Sequence, residues 1–290
     1  MKNDIVAWWS GGITSALACK IAIDLFGIDR VRIVMIDTFN EDEDTYRFKK
    51  DCEVLYEKEI EVISEIGLKH DSIQDVWYKY KSLNVANGAI CSSELKRNAR
   101  KRFQKSNSFT HQVFGFDISE PNRAKAMTMN YPEAKAIYPL LLHGLSKEDC
   151  IKTFRELGIR IPNMYSLGFK NNNCFKTGCV QGGIGYWQKM MVDFPDKFDK
   201  MAKIEHDLTE LKGAPVTMLK DQSKIAKDSG LKNVFLKHNK NYPDVKDISM
   251  MKGFKVEPLS ECNGFCGIND LEKRSDTEKE INYEQTKLFE

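Results

Sequence analysis

The chain has 290 residues, 41% of them hydrophobic and 30% charged, with a formal net charge of +2. These proportions exclude a collagenous, mucin-like or wholly disordered polymer. One large domain, or a domain with an appendage, can bury roughly three-quarters of its unfolded surface at this length. No apolar run approaches the roughly 18 residues that span a bilayer, and Met1-Lys2-Asn3-Asp4 does not read as a secretory signal.

Ile5-Val6-Ala7-Trp8-Trp9 is a short apolar run ending at Ser10-Gly11-Gly12, which reads as a buried strand. Thr14 to Phe26 follows with helical spacing, and Val31 to Ile36 is a second strand closed by Asp37-Thr38. Two strands joined by one helix make a βαβ unit, so a parallel sheet with helices on both faces is expected. Glu41 to Ile66 has helical period, with Gly67 as its stop. A basic helix runs from near Ser92 through Phe103. Val113–Phe116 and Ala136–Leu141 are further strand candidates. Ser146 begins a helix with an acidic first turn that ends near Gly158. Gly182 to Leu211 reads as helix broken at Pro195, and from about Asp270 the chain turns polar, as a frayed tail would.

The 8 cysteines divide into four single ones (Cys19, Cys52, Cys91, Cys150) and two close pairs, Cys174/Cys179 and Cys262/Cys266. Without a signal, paired cysteines point to metal or redox chemistry rather than a disulfide framework, and to the cytoplasm as the compartment. Two pairs at this spacing suit a four-thiolate site for zinc or an iron–sulfur cluster, between which the sequence does not choose. The rival readings are scattered buried thiols or a redox-active cysteine.

Ser10-Gly11-Gly12-Ile13-Thr14-Ser15 lies between a strand and a helix. Glycines there let consecutive amides face one concavity, and the helix N-terminus adds partial positive charge. The turn suits a phosphate or pyrophosphate. It lacks the Gly-Lys-Ser/Thr of a Walker loop and the three-glycine dinucleotide fingerprint. The plainer alternative is a turn that only redirects the chain.

Strand, Ser-Gly-Gly-x-Thr-Ser, helix, strand, Asp resembles the PP-loop of the adenine-nucleotide alpha-hydrolase superfamily, and within it the phosphoadenosine phosphosulfate (PAPS) reductase family. Cys91-Ser92-Ser93-Glu94-Leu95-Lys96 is similar to that family's Cys-x-x-x-Leu-Lys segment. Gly115 through Arg123 resembles its Gly-x-x-x-x-Glu-x-x-Arg segment. Tyr138-Pro139-Leu140, Gly158-Ile159 and Tyr165 to Phe169 follow in the family's order, over roughly residues 5 to 180.

The resemblance implies a doubly wound α/β fold: a mostly parallel five-stranded sheet with a smaller C-terminal helical, cysteine-containing region. The corresponding divisions are 1–165 for nucleotide binding, 166–269 for the cysteine-containing region and 270–290 for the tail. It further implies that Ser10, Gly11, Gly12, Thr14 and Ser15 hold phosphates, that Asp37 lies near ribose or adenine, and that Lys96 and Arg123 meet phosphate or sulfate. A guanidinium and an ammonium suit clustered anionic oxygens; for Lys96 the alternative is a solvated basic helix face shared with Arg97, Arg100, Lys101 and Arg102.

The family's reductases use a C-terminal Glu-Cys-Gly-Leu-His cysteine as nucleophile, with a thioredoxin-like reductant as partner. Here Glu261-Cys262 is followed by Asn263-Gly264-Phe265, without Leu-His. Cys262 is therefore a candidate for catalysis and for metal ligation, two roles that compete. The expected activity is sulfonucleotide reduction on PAPS. The alternatives are an ATP pyrophosphatase that uses magnesium and adenylates an acceptor, nucleic acid included, and a non-catalytic nucleotide-binding module.

Overall fold

The computed structural model describes residues 4–85 and 88–257. Its centre is a five-stranded, wholly parallel sheet built from β1 (Ile5–Trp8), β2 (Val31–Ile36), β3 (Ile60–Ile63), β4 (His111–Val113) and β5 (Ala136–Ile137), in the order β3-β2-β1-β4-β5. The chain winds outward from β1 through β2 to β3, then returns to the other side of β1. This reversal puts a crevice at the carboxyl ends of β1 and β4, where open α/β sheets bind ligands.

The first strand shows why the sheet is buried on both faces. Ile5 and Ala7 join an apolar cluster with α1 (Ile13–Phe26) and α2 (Glu43–Tyr56), whereas Val6 and Trp8 join the opposite cluster with Phe103, Phe114, Phe116 and Tyr138. Alternating side chains thus serve two cores, and the strand reads as one apolar run. Next come α3 (Ile73–Tyr80) and a π-helical turn, Ser92–Arg97, that runs into α4 (Asn98–Ser106). After β4 the chain forms α5 (Pro121–Asn130), and after β5 α6 (Lys147–Glu156). The expected cap holds: Ser146 and Asp149 form a reciprocal capping box.

Beyond residue 166 lie α7 (Ile184–Asp193) and α8 (Pro195–Lys212), separated at Pro195 as the sequence suggests. This region is not purely helical. It also carries a three-stranded sheet of β6 (Leu219–Lys220), β7 (Asn233–Phe235) and β8 (Lys246–Asp247). Glu205 of α8 fastens that sheet, its two carboxyl oxygens accepting the Met218 and Leu236 amides at 2.8 and 2.7 Å. One apolar cluster joins residues of this region, such as Trp187 and Leu208, to Val76, Trp77 and Leu95 of the first.

Three local expectations require correction. The helix expected over 41–66 stops at Tyr56, where Glu57 takes a left-handed cap, and Ile60–Ile63 pairs with β2 as the third strand. The strand candidate at 113–116 ends at Val113, and Gly115 beyond it lies against the backbone of Thr14 and Ser15 at the start of the first helix. The candidate at 136–141 ends at Ile137, since Pro139 opens a short helical turn. The tail expected at 270–290 lies outside the described residues.

Candidate functional site

The turn after β1 stands at the crevice. Gly11 adopts φ +87°, and a Cβ built on it would fall 2.9 Å from Thr45 Cγ2, so geometry and space both call for glycine. The Ser15 hydroxyl accepts from the Ser10 amide and hydroxyl, both at 3.0 Å, and donates to the Gly12 carbonyl at 2.9 Å. Ser15 therefore holds the turn in shape. Thr14 and Ser15 are buried.

The entry to α1 differs from those of α2, α3 and α6 and resembles that of α7, whose N-cap Gly183 likewise gives no side-chain cap. Asp42, Ser72 and Ser146 cap the N-termini of α2, α3 and α6 with their own side chains. Gly12 supplies no such cap, and the first turn of α1 carries no acidic residue. Instead the Ile13 amide donates to the Tyr165 hydroxyl at 3.1 Å.

Gly115, just past β4, lies flush on this turn. A Cβ there would meet Ser15 Cα at 2.5 Å and Ser15 N at 2.6 Å. Asn172 supports the other side: its Nδ2 donates to the Gly11 carbonyl at 2.9 Å and to Thr45 Oγ1 at 3.0 Å. The Asn171-Asn172-Asn173 run ahead of Cys174 is the signal for this support that the sequence reading passed over.

Asp37, at the end of β2, is buried and engaged locally. Its Oδ1 accepts from the Phe39 amide at 2.7 Å and from the Tyr46 hydroxyl at 3.1 Å. Burial, then the Asp37 charge, pushes the Tyr46 phenol well above its ordinary value. The two expected cations both face carboxylates. Lys96 Nζ lies 3.5 Å from Glu41 Oε1 with both side chains largely buried. Arg123 pairs with Glu120 and stacks its guanidinium 4.5 Å over the Phe116 ring centroid. Glu41, missed by the sequence reading, also accepts from Thr38 Oγ1 at 3.3 Å.

The structure gathers cysteines differently from the sequence expectation. Cys174 and Cys179 border a cavity of about 30 Å³ together with Cys91, Thr38, Lys96 and Trp77. That volume holds no more than one or two waters, too little for a nucleotide. Burial pushes the Cys174 thiol well above its ordinary value, the Glu41 charge adds to this, and Lys96 opposes it. The Cys174 sulfur lies 3.9 Å from Glu41 Oε1. Cys262 and Cys266, expected to complete a four-thiolate site, lie outside the described residues. Among the described residues no group of three His, Cys, Asp or Glu side chains is arranged to hold a metal ion, so the zinc or iron–sulfur expectation has no formed site among them.

No protein-family model matches the chain, and no curated protein matches it. Among solved structures it is similar to phosphoadenylyl-sulfate (PAPS) reductase from Candida auris, crystallised as a phosphate complex. The identity is 16% and the TM-score 0.46, over 59% of this chain and 81% of that one. No described helix is long and apolar enough to cross a membrane.

Proposed function

We propose that the chain binds an adenine nucleotide with its phosphate end on the Ser10–Ser15 turn and acts at the phosphate or sulfate end, as a sulfonucleotide reductase of the PAPS reductase family does. One observation carries this reading. The glycine turn leading into α1 stands at the sheet's reversal point with no acidic residue in the helix's first turn, and Gly115 lies flush against it. An anion there gains the helix's partial positive charge and the backbone amides of the glycine turn.

In this reading Lys96 and Arg123 exchange their carboxylate partners for ligand oxygens, which suit both cations equally well. Asp37 and Tyr46 shape the β2–α2 loop beside the ribose and base. The Cys262 thiolate attacks the sulfonate sulfur, the sulfur–oxygen bond to the nucleotide breaks, and a thioredoxin-like dithiol then releases sulfite and becomes a disulfide.

A second reading, ATP pyrophosphatase with magnesium, has one observation in its favour. Glu261-Cys262 is followed by Asn263-Gly264-Phe265 and lacks the Leu-His that ends the reductases' motif. Product analysis separates the two. Sulfite released from PAPS with a dithiol reductant, and lost in Cys262→Ser, supports reduction; pyrophosphate and AMP from ATP and magnesium support the alternative.

A further inference from the structure

Four non-glycine residues among those described have positive φ: Phe39, Glu57, Lys81 and Lys135. Three of them close helical turns, Glu57 after α2, Lys81 after α3 and Lys135 after Pro132–Ala134, where a left-handed residue is the ordinary terminator. Phe39 closes no helix. At φ +54° it sits in the loop after β2, and a bulky side chain there is a conformational outlier. A glycine would take the same shape without strain.

Its exposure contrasts with that of its neighbours in the loop. Asp37, Thr38, Asn40 and Glu41 are each at most 3% exposed, whereas Phe39 between them is 50% exposed. The surroundings are held firmly. The Asp37 carboxylate accepts the Phe39 amide, and the Asn40 carbonyl accepts from Phe175 N at 2.8 Å and Lys176 N at 3.1 Å. Thr45, at the start of α2, ties the same loop to Gly11 through Asn172. A strained backbone thus holds an aromatic ring at the carboxyl edge of the sheet, next to the strand that carries the glycine turn.

We propose that Phe39 is the residue on which the base of the bound nucleotide stacks. This rests on the nucleotide reading above and deepens it: the turn holds the phosphate end, and the Phe39 ring supplies base affinity. Stacking on a phenyl ring suits any base face, so Phe39 confers affinity for a nucleoside rather than a choice among bases.

The test is calorimetric titration of wild type, Phe39→Gly and Phe39→Trp with ATP, PAPS and inorganic pyrophosphate, alongside a thermal melt of each. Wild type should bind at least one nucleotide. Phe39→Gly should bind it roughly ten- to a hundredfold more weakly, keep its affinity for pyrophosphate, and melt at or above the wild-type temperature because the strain is gone. Phe39→Trp should retain nucleotide affinity. A Phe39→Gly protein that binds nucleotide as tightly as wild type would overturn the proposal. So would equal losses for nucleotide and pyrophosphate, or a Phe39→Trp protein as weak as Phe39→Gly. If wild type binds neither nucleotide, the underlying reading fails and this proposal with it.

Discussion

Gly115 lies against Ser15 so closely that a Cβ built on it would fall 2.5 Å from the Ser15 Cα. The contact joins the carboxyl end of β4 to the turn that follows β1. The atoms met are backbone, which cannot rotate away. Gly115→Ala should therefore push β4 and α1 apart, at a cost of about 3 kcal/mol, the upper part of the usual overpacking range. Urea unfolding should show a lower midpoint with an unchanged slope. A midpoint equal to wild type would mean the two elements have slack between them.

Gly11 is restricted twice, by conformation and by Thr45. Gly11→Ala should lose about 1–2 kcal/mol from the left-handed backbone alone, plus the clash with Thr45 Cγ2 at 2.9 Å. Thr45→Ser removes that methyl and keeps the hydroxyl that accepts from Asn172. The double variant should recover the clash component but not the backbone component. Full recovery, or none, would contradict this division.

Cys174 is held protonated first by burial and then by Glu41. Glu41→Gln removes a negative charge, and so lowers the thiol's pKa and leaves burial as the main restraint. Iodoacetamide labelling followed across alkaline pH by peptide mass spectrometry should then begin at lower pH for Cys174. An unchanged labelling profile would show that Glu41 does not act on this sulfur.

Glu205 makes the pH prediction of opposite sign to a paired surface carboxylate. Burial pushes it up to about 8, although two backbone amides donate to it and favour the charged form. In the interval between its ordinary value of 4.5 and about 8 the folded state holds a proton that the unfolded state has lost. Stability is therefore fully present below pH 4.5 and declines as pH rises toward 8, by on the order of 5 kcal/mol at most. Glu205→Gln should flatten that decline while lowering stability at pH 5, since one amide loses its acceptor. Denaturant midpoints between pH 4.5 and 8 decide it.

Much of the fold's first half is legible in the sequence because its signals are local. Ile5–Trp9 is apolar on both faces, glycines interrupt it, and Ser146 with Asp149 announces a helix. The third strand was not legible. Ile60-Glu61-Val62-Ile63 follows a charged helix within four residues and alternates only briefly. The three-stranded sheet after residue 219 escaped for a similar reason: its strands are two or three residues long and are held by Glu205 from a distant helix. At the candidate site the glycine turn could be read directly, but its supports could not. Tyr165, Asn172 and Glu41 reach the site from other segments, and only the folded chain reveals that Lys96 meets a carboxylate.

The most direct measurement is calorimetric titration of the purified chain with ATP, PAPS and adenosine phosphosulfate, repeated on Gly11→Ala. The account predicts saturable binding of at least one of the three, with affinity lost in the variant while its circular dichroism remains that of the folded protein. No heat from any of the three nucleotides, or equal binding by the variant, would contradict a phosphate seat on this turn.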